Sequence, residues 1–282
     1  MKPAPFAYAK ARSLDEAIAL LGKHGDGARL LAGGQSLLAT LNMRLSAPTL
    51  LVDINGISGL DRIARKDKHI EIGAMVRHAQ AERAREIAEY APLIALALPH
   101  IAHPAIRNRG TIGGSLAFAD PAAELPACVL ALGGELEISG AKGKRTVKVD
   151  DFFKGLFETA LGPQDVLAAI RIPEATAQSR VGFAEFARRR GDYALVGLAA
   201  SARADGKGLA DVRLAYFGVG QTPLRAKKAE AAIANGKLDA AIAALDDDLD
   251  PQDDIQSEAT VKKHLAGVLL KRVAQQLSEK RA

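Results

Sequence analysis

Hydrophobic and polar positions divide the chain into two parts that a polar stretch separates. Ser13-Leu14-Asp15-Glu16 is a capping box, and apolar residues at helical spacing after it predict a helix that ends near Gly25. Short apolar or alternating runs predict strands at 29–31, 50–54, 69–73, 135–138, 145–149 and 166–172. Further helices are predicted at 37–45, at 77–89, at 93–101 with Pro104 ending it, and from Pro121 onward.

The pattern restarts after the polar stretch 174–180, which is the predicted domain boundary. Strands are predicted at 181–186, 195–204 and 212–219, in the order of an antiparallel meander. Helices follow at 225–235 and 238–245, and the last helix is predicted to pack through Val261, Leu265, Val268, Leu269 and Leu277. The fold class is therefore α+β, with domains over 1–176 and 177–282.

The amino-acid composition limits the classes of function that this chain can have. The 282 residues carry a formal net charge of +5 and only 4% aromatic residues, without tryptophan. Mild, diffuse basicity suits an anionic ligand or an acidic partner, whereas nucleic-acid binding calls for a basic stripe or stacking aromatics, so no nucleic acid is expected. No apolar run is long enough to span a bilayer and the N-terminus lacks a signal-peptide core, so a cytoplasmic protein is expected.

Metal and catalytic constellations are missing from the sequence. The single cysteine, Cys128, cannot hold an iron–sulfur cluster, which needs about four such ligands. The six histidines form no metal motif, and no Ser-His-Asp or paired-carboxylate arrangement is evident. We therefore predict neither a metal site nor a catalytic group in this chain.

The first candidate site is a glycine loop between a predicted strand and a predicted helix, Leu31-Ala32-Gly33-Gly34-Gln35-Ser36-Leu37. Paired glycines let an anion approach consecutive backbone amides, and Gln35 and Ser36 can add side-chain donors. A phosphate or diphosphate fits such a loop. The loop lacks the third glycine of a Rossmann fingerprint and the lysine of a P-loop, so by itself it is equally a tight turn with Ser36 as the helix cap.

The second candidate site is Thr111-Ile112-Gly113-Gly114-Ser115, followed by Asp120-Pro121 and Glu124. Asp120 is predicted to cap a helix that Pro121 begins. Glu124 can accept hydrogen bonds from ribityl or ribose hydroxyls, or it can be a first-turn carboxylate that suits the helix dipole. Two donor-rich loops in one domain predict a single extended ligand such as a dinucleotide.

Both loops resemble those of the FAD-binding medium subunit in the xanthine dehydrogenase and carbon monoxide dehydrogenase family. The resemblance covers nearly the whole chain. It continues in 103–110, in 170–173, in 188–196 and in 216–220. It implies a two-lobed FAD-binding domain of the PCMH/VAO type, with lobes of about 1–57 and 58–176, and a smaller C-terminal domain with an antiparallel sheet and helices.

The same resemblance implies that the two loops wrap the diphosphate and ribityl chain and that Glu124 is an acidic FAD ligand. Leu161 matches an apolar contact near the ring or adenine, and Ile101 and Tyr193 match positions near the isoalloxazine. This chain departs from the family at Phe118, where histidine is frequent, and at Ala184-Glu185, where a lysine is frequent. Arg188–Arg190 remain open to roles at the flavin, at a partner or in solvent.

The implied function is electron transfer. A large subunit would carry the molybdenum cofactor, a small subunit would carry [2Fe–2S] clusters, and FAD on this chain would pass electrons to an external acceptor within a heterohexamer. A stand-alone flavoprotein oxidoreductase and a non-enzymatic nucleotide-binding module are the alternatives from other classes.

Overall fold

The computed structural model describes residues 2–206 and 208–279, and the predicted α+β fold is confirmed. The first lobe is built on a parallel three-stranded sheet of order β1-β3-β2. Its strands are β1 (Ala7–Lys10), β2 (Ala28–Leu31) and β3 (Leu50–Asp53), and its helices are α1 (Leu14–His24) and α2 (Leu37–Asn42). Ser13 caps α1 by accepting a hydrogen bond from the Glu16 amide at 3.1 Å, as the capping box predicts.

The second lobe is built on an antiparallel five-stranded sheet of order β4-β5-β10-β6-β7. Its strands are β4 (Ile63–Lys66), β5 (His69–Gly73), β6 (Glu135–Gly140), β7 (Gly143–Lys148) and β10 (Val166–Pro173), and a hairpin of β8 (Phe153–Gly155) and β9 (Glu158–Thr159) lies beside them. Its helices are α3 (His78–Arg83), α4 (Arg85–Tyr90), α5 (Pro92–Ala97), α6 (Pro104–Arg107), α7 (Ile112–Phe118) and α8 (Glu124–Leu132).

Two helix predictions in this lobe were wrong in detail. The helix predicted at 77–89 is interrupted at Ala84, whose ψ of 125° is extended, so it forms two short helices. The helix predicted at 93–101 finishes as a 3₁₀ turn at Leu98–His100, and Pro104 begins α6 because proline suits the first helical turn. The spacing of apolar residues along the chain did not predict these breaks, because the tertiary packing of each short helix determines where it ends.

Helix starts around the second glycine loop also differ from prediction. Residues 112–118 form α7, whereas they were predicted as a loop. The next helix begins at Glu124 rather than at Pro121, and Asp120 instead closes a turn by accepting the Ala122 amide at 2.9 Å. Glycines in a helix are normally costly, so the sequence favoured a loop here, and close packing overrides that preference.

The C-terminal domain forms the predicted antiparallel meander, in the order β11-β12-β13-β14. Its strands are β11 (Ser179–Ala187), β12 (Ala194–Asp205), β13 (Gly208–Phe217) and β14 (Leu224–Arg225), and its helices are α9 (Lys227–Ala234), α10 (Leu238–Asp248) and α11 (Ala259–Ser278). One predicted packing position of α11 was wrong. Val261 is 45% exposed, and the neighbouring Lys262 is buried instead because it pairs with Asp254 at 2.6 Å.

One face of this meander packs directly onto the second lobe. Phe183 and Phe217 of the sheet belong to the same buried core as helix α8. The Ser201 hydroxyl donates to the Ala131 carbonyl at 2.6 Å, and Arg213 donates to the Leu130 carbonyl at 2.8 Å. These bonds satisfy the last carbonyls of α8, so the C-terminal domain fixes the helix that begins at Glu124.

Removing the Glu230 carboxylate is expected to destabilise the C-terminal domain. Glu230 is buried and accepts hydrogen bonds from the Leu214 amide at 2.8 Å and from both ends of the Arg225 guanidinium. Glu230→Ala leaves these donors unpaired, so the free energy of unfolding in urea should fall by about 2–4 kcal/mol. Asp239→Ala, at an exposed helical position, should change it by about 0.5 kcal/mol or less, and equal values for both variants would contradict the assignment.

Candidate functional site

A cavity of about 460 Å³ lies where the two lobes and the C-terminal domain meet. Its wall includes the first glycine loop, the second glycine loop and the segment Gly191 to Tyr193 of the C-terminal domain. The cavity thus joins segments that are far apart in sequence.

Backbone contact at Gly33 brings the two glycine loops together. A Cβ atom at this position would lie 2.4 Å from the Arg109 carbonyl oxygen and 2.8 Å from the Gly110 Cα atom. Neither backbone atom can yield as a flexible side chain would, so only glycine fits. Gly34, with φ of +73°, occupies the left-handed region that glycine adopts readily and turns the chain into α2.

The amides of the first loop are open to a ligand. Within residues 2–206 and 208–279, no acceptor receives a hydrogen bond from the amides of residues 34 to 37. Ser36 occupies the predicted N-cap position of α2, but its side chain makes no capping bond. The Asn55 side chain donates to the Ala32 carbonyl at 2.8 Å, and the Gln35 side chain donates to the Gly33 carbonyl at 3.2 Å. Side chains donate hydrogen bonds to the loop's carbonyls, whereas its amides remain able to donate to a ligand oxygen.

The second loop differs from the prediction, because its amides already have acceptors. The Ile112 amide donates to Val76, the Gly113 amide to Ala74, and the Gly114 amide to the Thr111 hydroxyl, at 2.9 to 3.1 Å. A Cβ atom at Gly113 would lie 2.4 Å from the Ala74 Cβ atom, so this glycine serves packing. The loop is the first turn of a helix pressed onto the sheet, and Thr111 is its N-cap.

Two carboxyl groups stand in the cavity wall beyond the second loop. Burial raises the pKa of Asp120 above its usual value. Glu124 is only 9% exposed, and its burial raises its pKa to about 7, with Glu185 raising it further and His100 opposing the rise. Near neutral pH, Glu124 can therefore either donate or accept a hydrogen bond.

The far end of the cavity is formed by a turn that sequence reasoning noted only through Ile101. Ala102 has a left-handed φ of 43°, and a Cβ atom at Gly191 would lie 2.5 Å from its carbonyl oxygen. Arg107 holds this turn by donating to the Ile101 carbonyl at 2.9 Å, and Glu82 pairs with Arg107 at 3.0 Å. Tyr193 projects beside the turn with 58% of its surface exposed.

Most of the predicted site residues share this one cavity wall. The residues that line it are Ala32, Gly33, Gly34, Gln35, Ser36, Leu37, Ile101, Thr111, Gly113, Gly114, Ser115, Asp120, Glu124, Leu161 and Tyr193. Leu31 is not among them, since it ends β2 and its carbonyl accepts the Ile54 amide at 3.1 Å. Ile112 is not either, because it is fully buried in the hydrophobic core.

Other wall residues carried no usable sequence signal. His78 lines the cavity from the start of α3, where the sequence predicted only a helix. Asp165 lines it too, and holds the Gly162 amide at 2.7 Å and Arg145 at 2.6 Å. These positions are recognisable only after the chain has folded.

Of the positions where the chain departs from the resembled family, one lies in the wall of this cavity. Phe118 lines it and packs edge-on against Phe157, with ring centroids 5.1 Å apart. Glu185 lies 3.2 Å from His100 Nδ1 rather than in the cavity wall. Arg188–Arg190 are exposed, and Arg188 donates to the Gln256 carbonyl at 2.9 Å.

A dinucleotide fits this donor set. Open amides and the Ser115 hydroxyl can bind diphosphate and sugar oxygens, while Ile101 and Leu161 offer apolar contacts to planar rings. Among residues 2–206 and 208–279, no cluster of three or more histidine, cysteine or acidic side chains is arranged for a metal ion. The described helices include none that is long and apolar enough to cross a membrane.

Two family models together match nearly the whole chain. The FAD binding domain in molybdopterin dehydrogenase matches residues 4–175, and the CO dehydrogenase flavoprotein C-terminal domain matches residues 182–277.

Individual relatives agree with these models. The 6-hydroxypseudooxynicotine dehydrogenase complex subunit alpha of Paenarthrobacter nicotinovorans is 38% identical over 96% of this chain and 94% of that protein. The carbon monoxide dehydrogenase medium chain of Hydrogenophaga pseudoflava is 34% identical over 96% of each chain. Among solved structures, carbon monoxide dehydrogenase from Hydrogenophaga pseudoflava aligns with a TM-score of 0.96, at 36% identity and 98% coverage of both chains. Quinoline 2-oxidoreductase from Pseudomonas putida 86 aligns with a TM-score of 0.92, at 35% identity, covering 99% of this chain and 98% of the other.

Ionisation of Glu124 should make the stability of the ligand-free protein depend on pH. Its folded pKa of about 7 lies above the ordinary value of 4.5, so the folded state binds the proton more tightly. The resulting stabilisation is present below pH 4.5 and is lost as pH rises to about 7, by an amount on the order of 3 kcal/mol.

The measurement is urea unfolding of the wild type and of Glu124→Gln between pH 4.5 and pH 8. The amide does not ionise, so the stability difference between the two proteins should shift in favour of the variant as pH rises. Glu86→Gln, at an exposed position, is the matched control and should keep a constant difference. A constant difference for Glu124→Gln as well would show that this carboxyl is not perturbed.

Proposed function

The chain belongs to the FAD-binding medium subunits of the molybdenum hydroxylases, and we propose that it passes electrons from the [2Fe–2S] clusters of a partner subunit to an external acceptor. It is a subunit of an oxidoreductase with FAD as its cofactor. The molybdenum cofactor and the iron–sulfur clusters lie on partner subunits. The single cysteine of this chain accords with that division of labour.

We place FAD in the cavity between the glycine loops. The amides of residues 34 to 37 would bind its diphosphate, and the Thr111 to Ser115 turn would border the sugar chain. Glu124 would bind a sugar hydroxyl, and Leu161 would contact a ring. Ile101 and Tyr193 would border the isoalloxazine, in keeping with their place in the cavity wall.

Bound FAD supplies chemistry that exchanges one or two electrons. The chain's own residues hold and orient it and exclude water from its buried side. The Arg107-supported turn at Ile101 and Ala102 fixes one wall, and Gly191 packs against that turn. Tyr193 is the exposed member of this end, so a partner or acceptor could approach there. We infer no catalytic base for substrate hydroxylation in this chain.

One observation carries the proposal more than any other. Gly33 packs against the Arg109 carbonyl, so loops that belong to two different lobes border one cavity. The relatives support the partner assignment, since one is a subunit of a dehydrogenase complex and another is a medium chain. We further propose a cytoplasmic location and a domain boundary within 174–180.

Purification tests the electron-transfer role directly. The native complex should contain this chain, a large and a small subunit and one FAD per copy of this chain. In the complex, reduction of the small subunit's clusters should be followed by loss of the visible absorption of oxidised flavin. Reduction of an added acceptor should then follow. A yellow monomer that turns over a substrate alone would establish the stand-alone oxidoreductase instead, and a colourless protein that binds nucleotides would establish the non-enzymatic module.

Gly33→Ala should sharply reduce FAD retention. The added Cβ atom meets the Arg109 carbonyl oxygen at 2.4 Å, so the two loops must separate and the amide cradle is displaced. We expect at least a tenfold rise in the Kd for FAD, which corresponds to about 1.4 kcal/mol, measured by flavin fluorescence quenching.

Gly208→Ala is the matched control for this substitution. Gly208 lies in β13, and a Cβ atom there would come no closer than 3.8 Å to the Asp205 carbonyl oxygen. The control should bind FAD as the wild type does. Full flavin occupancy in Gly33→Ala would mean that FAD is not held between these loops.

A further inference from the structure

His78 is a buried side chain whose two ring nitrogens make no hydrogen bond of ordinary geometry to the protein, although the Thr111 backbone lies close to the ring. The residue is 6% exposed, and neither Nδ1 nor Nε2 makes a hydrogen bond within residues 2–206 and 208–279. In that same part of the chain, one other buried side-chain atom, Oε2 of Glu185, shares this condition. Buried polar atoms almost always have a partner, because each unsatisfied one costs about 1–3 kcal/mol.

The ring stands where the two glycine loops meet. The His78 amide donates to the Gly110 carbonyl at 3.0 Å, and a Cβ atom at Gly110 would lie 3.0 Å from the ring's Nδ1. Gly110 in turn is the residue whose Cα faces Gly33 of the first loop. His78 lines the cavity together with both loops, so a molecule that fills the cavity there lies next to this residue.

The two neighbouring arginines bond to other groups, and their positive charges disfavour protonation of the imidazole. Burial lowers the pKa of His78 to about 4, and the guanidinium groups of Arg107 and Arg77 lower it further against an opposing contribution from the Thr111 backbone. Arg107 is committed to Glu82, and Arg77 is committed to the Asn55 side chain and the Arg109 carbonyl. A neutral imidazole presents one N–H donor and one acceptor nitrogen.

We propose that His78 is a FAD ligand whose ring N–H donates a hydrogen bond to an oxygen of the diphosphate–ribityl segment. This rests on the proposed placement of FAD in the cavity. The segment is the part of FAD that the open amides of residues 34 to 37 would hold, and the ring packs against Gly110, which contacts Gly33 of that loop. Diphosphate oxygens and ribityl hydroxyls both accept an N–H donor, and the ring's other nitrogen can accept from a hydroxyl.

The test titrates FAD into the deflavinated complex carrying wild-type His78, His78→Phe or His78→Ala. Phenylalanine keeps the ring's bulk without polar atoms, and alanine removes the ring without adding volume. Both should raise the Kd for FAD tenfold or more. His78→Gln, which retains a donor and an acceptor, should recover part of the loss. His264→Phe, at an exposed position of α11, is the control and should bind as the wild type does.

Titration with ADP separates the two possible acceptors. ADP has a diphosphate but no ribityl chain, so an equal loss for ADP and FAD assigns the bond to the diphosphate. A loss for FAD alone assigns it to a ribityl hydroxyl. Either result supports a direct contact, because a general loosening of the fold would also weaken binding in His78→Gln and lower the urea midpoint of the deflavinated complex.

The inference is overturned if His78→Ala binds FAD within twofold of the wild type. Should His78→Phe fail to fold, His78→Ala decides the matter, since truncation leaves the backbone bond to Gly110 intact. Failure of the wild type itself to bind FAD would instead refute the proposed function, so the two failures are distinguishable.

Discussion

The contact between the Gly33 backbone and the Arg109 carbonyl is the constraint on which the site depends. A Cβ atom at Gly33 would come within 2.4 Å of that oxygen, so the two lobes meet main chain to main chain. Side chains at such a junction would separate the loops and open the cavity. The first loop can then present its amides because Asn55 and Gln35 already occupy its carbonyls. Glycine here provides close approach as much as it provides conformational freedom.

The cavity wall contains polar groups that the protein leaves incompletely satisfied. Burial keeps His78 neutral, with a pKa of about 4, and raises the pKa of Glu124 to about 7. Both shifts have the same cause, because removing water disfavours whichever form carries charge. The side chains in such a cavity wall are neutral, or become neutral readily, where they face a ligand. It also loses stability without the ligand, since unpartnered buried groups are costly. Stability and flavin binding are therefore linked.

The C-terminal domain completes the site from outside the FAD-binding lobes. Its sheet packs on α8, whose first residue is Glu124, and its Gly191 packs against the Ala102 carbonyl at the end of the cavity. The position of the acidic wall therefore depends on two domains. This arrangement leaves Tyr193 exposed beside the cavity, and the electron-transfer role that we propose requires an approachable surface of this kind.

The sequence alone predicted the α+β fold, most of the strands, the C-terminal meander and the family, because these follow from local periodicity and motif order. It missed the short strands β1, β4, β8, β9 and β14. The prediction for the second loop was wrong, because Gly113 and its neighbours begin a helix whose first amides donate to the Val76 and Ala74 carbonyls and to the Thr111 hydroxyl. Only the tertiary structure decided that Leu31 and Ile112 leave the wall and that His78 joins it. Contacts between residues distant in sequence decide which side of a loop faces a cavity and which polar atoms lack partners. No local sequence pattern encodes such contacts.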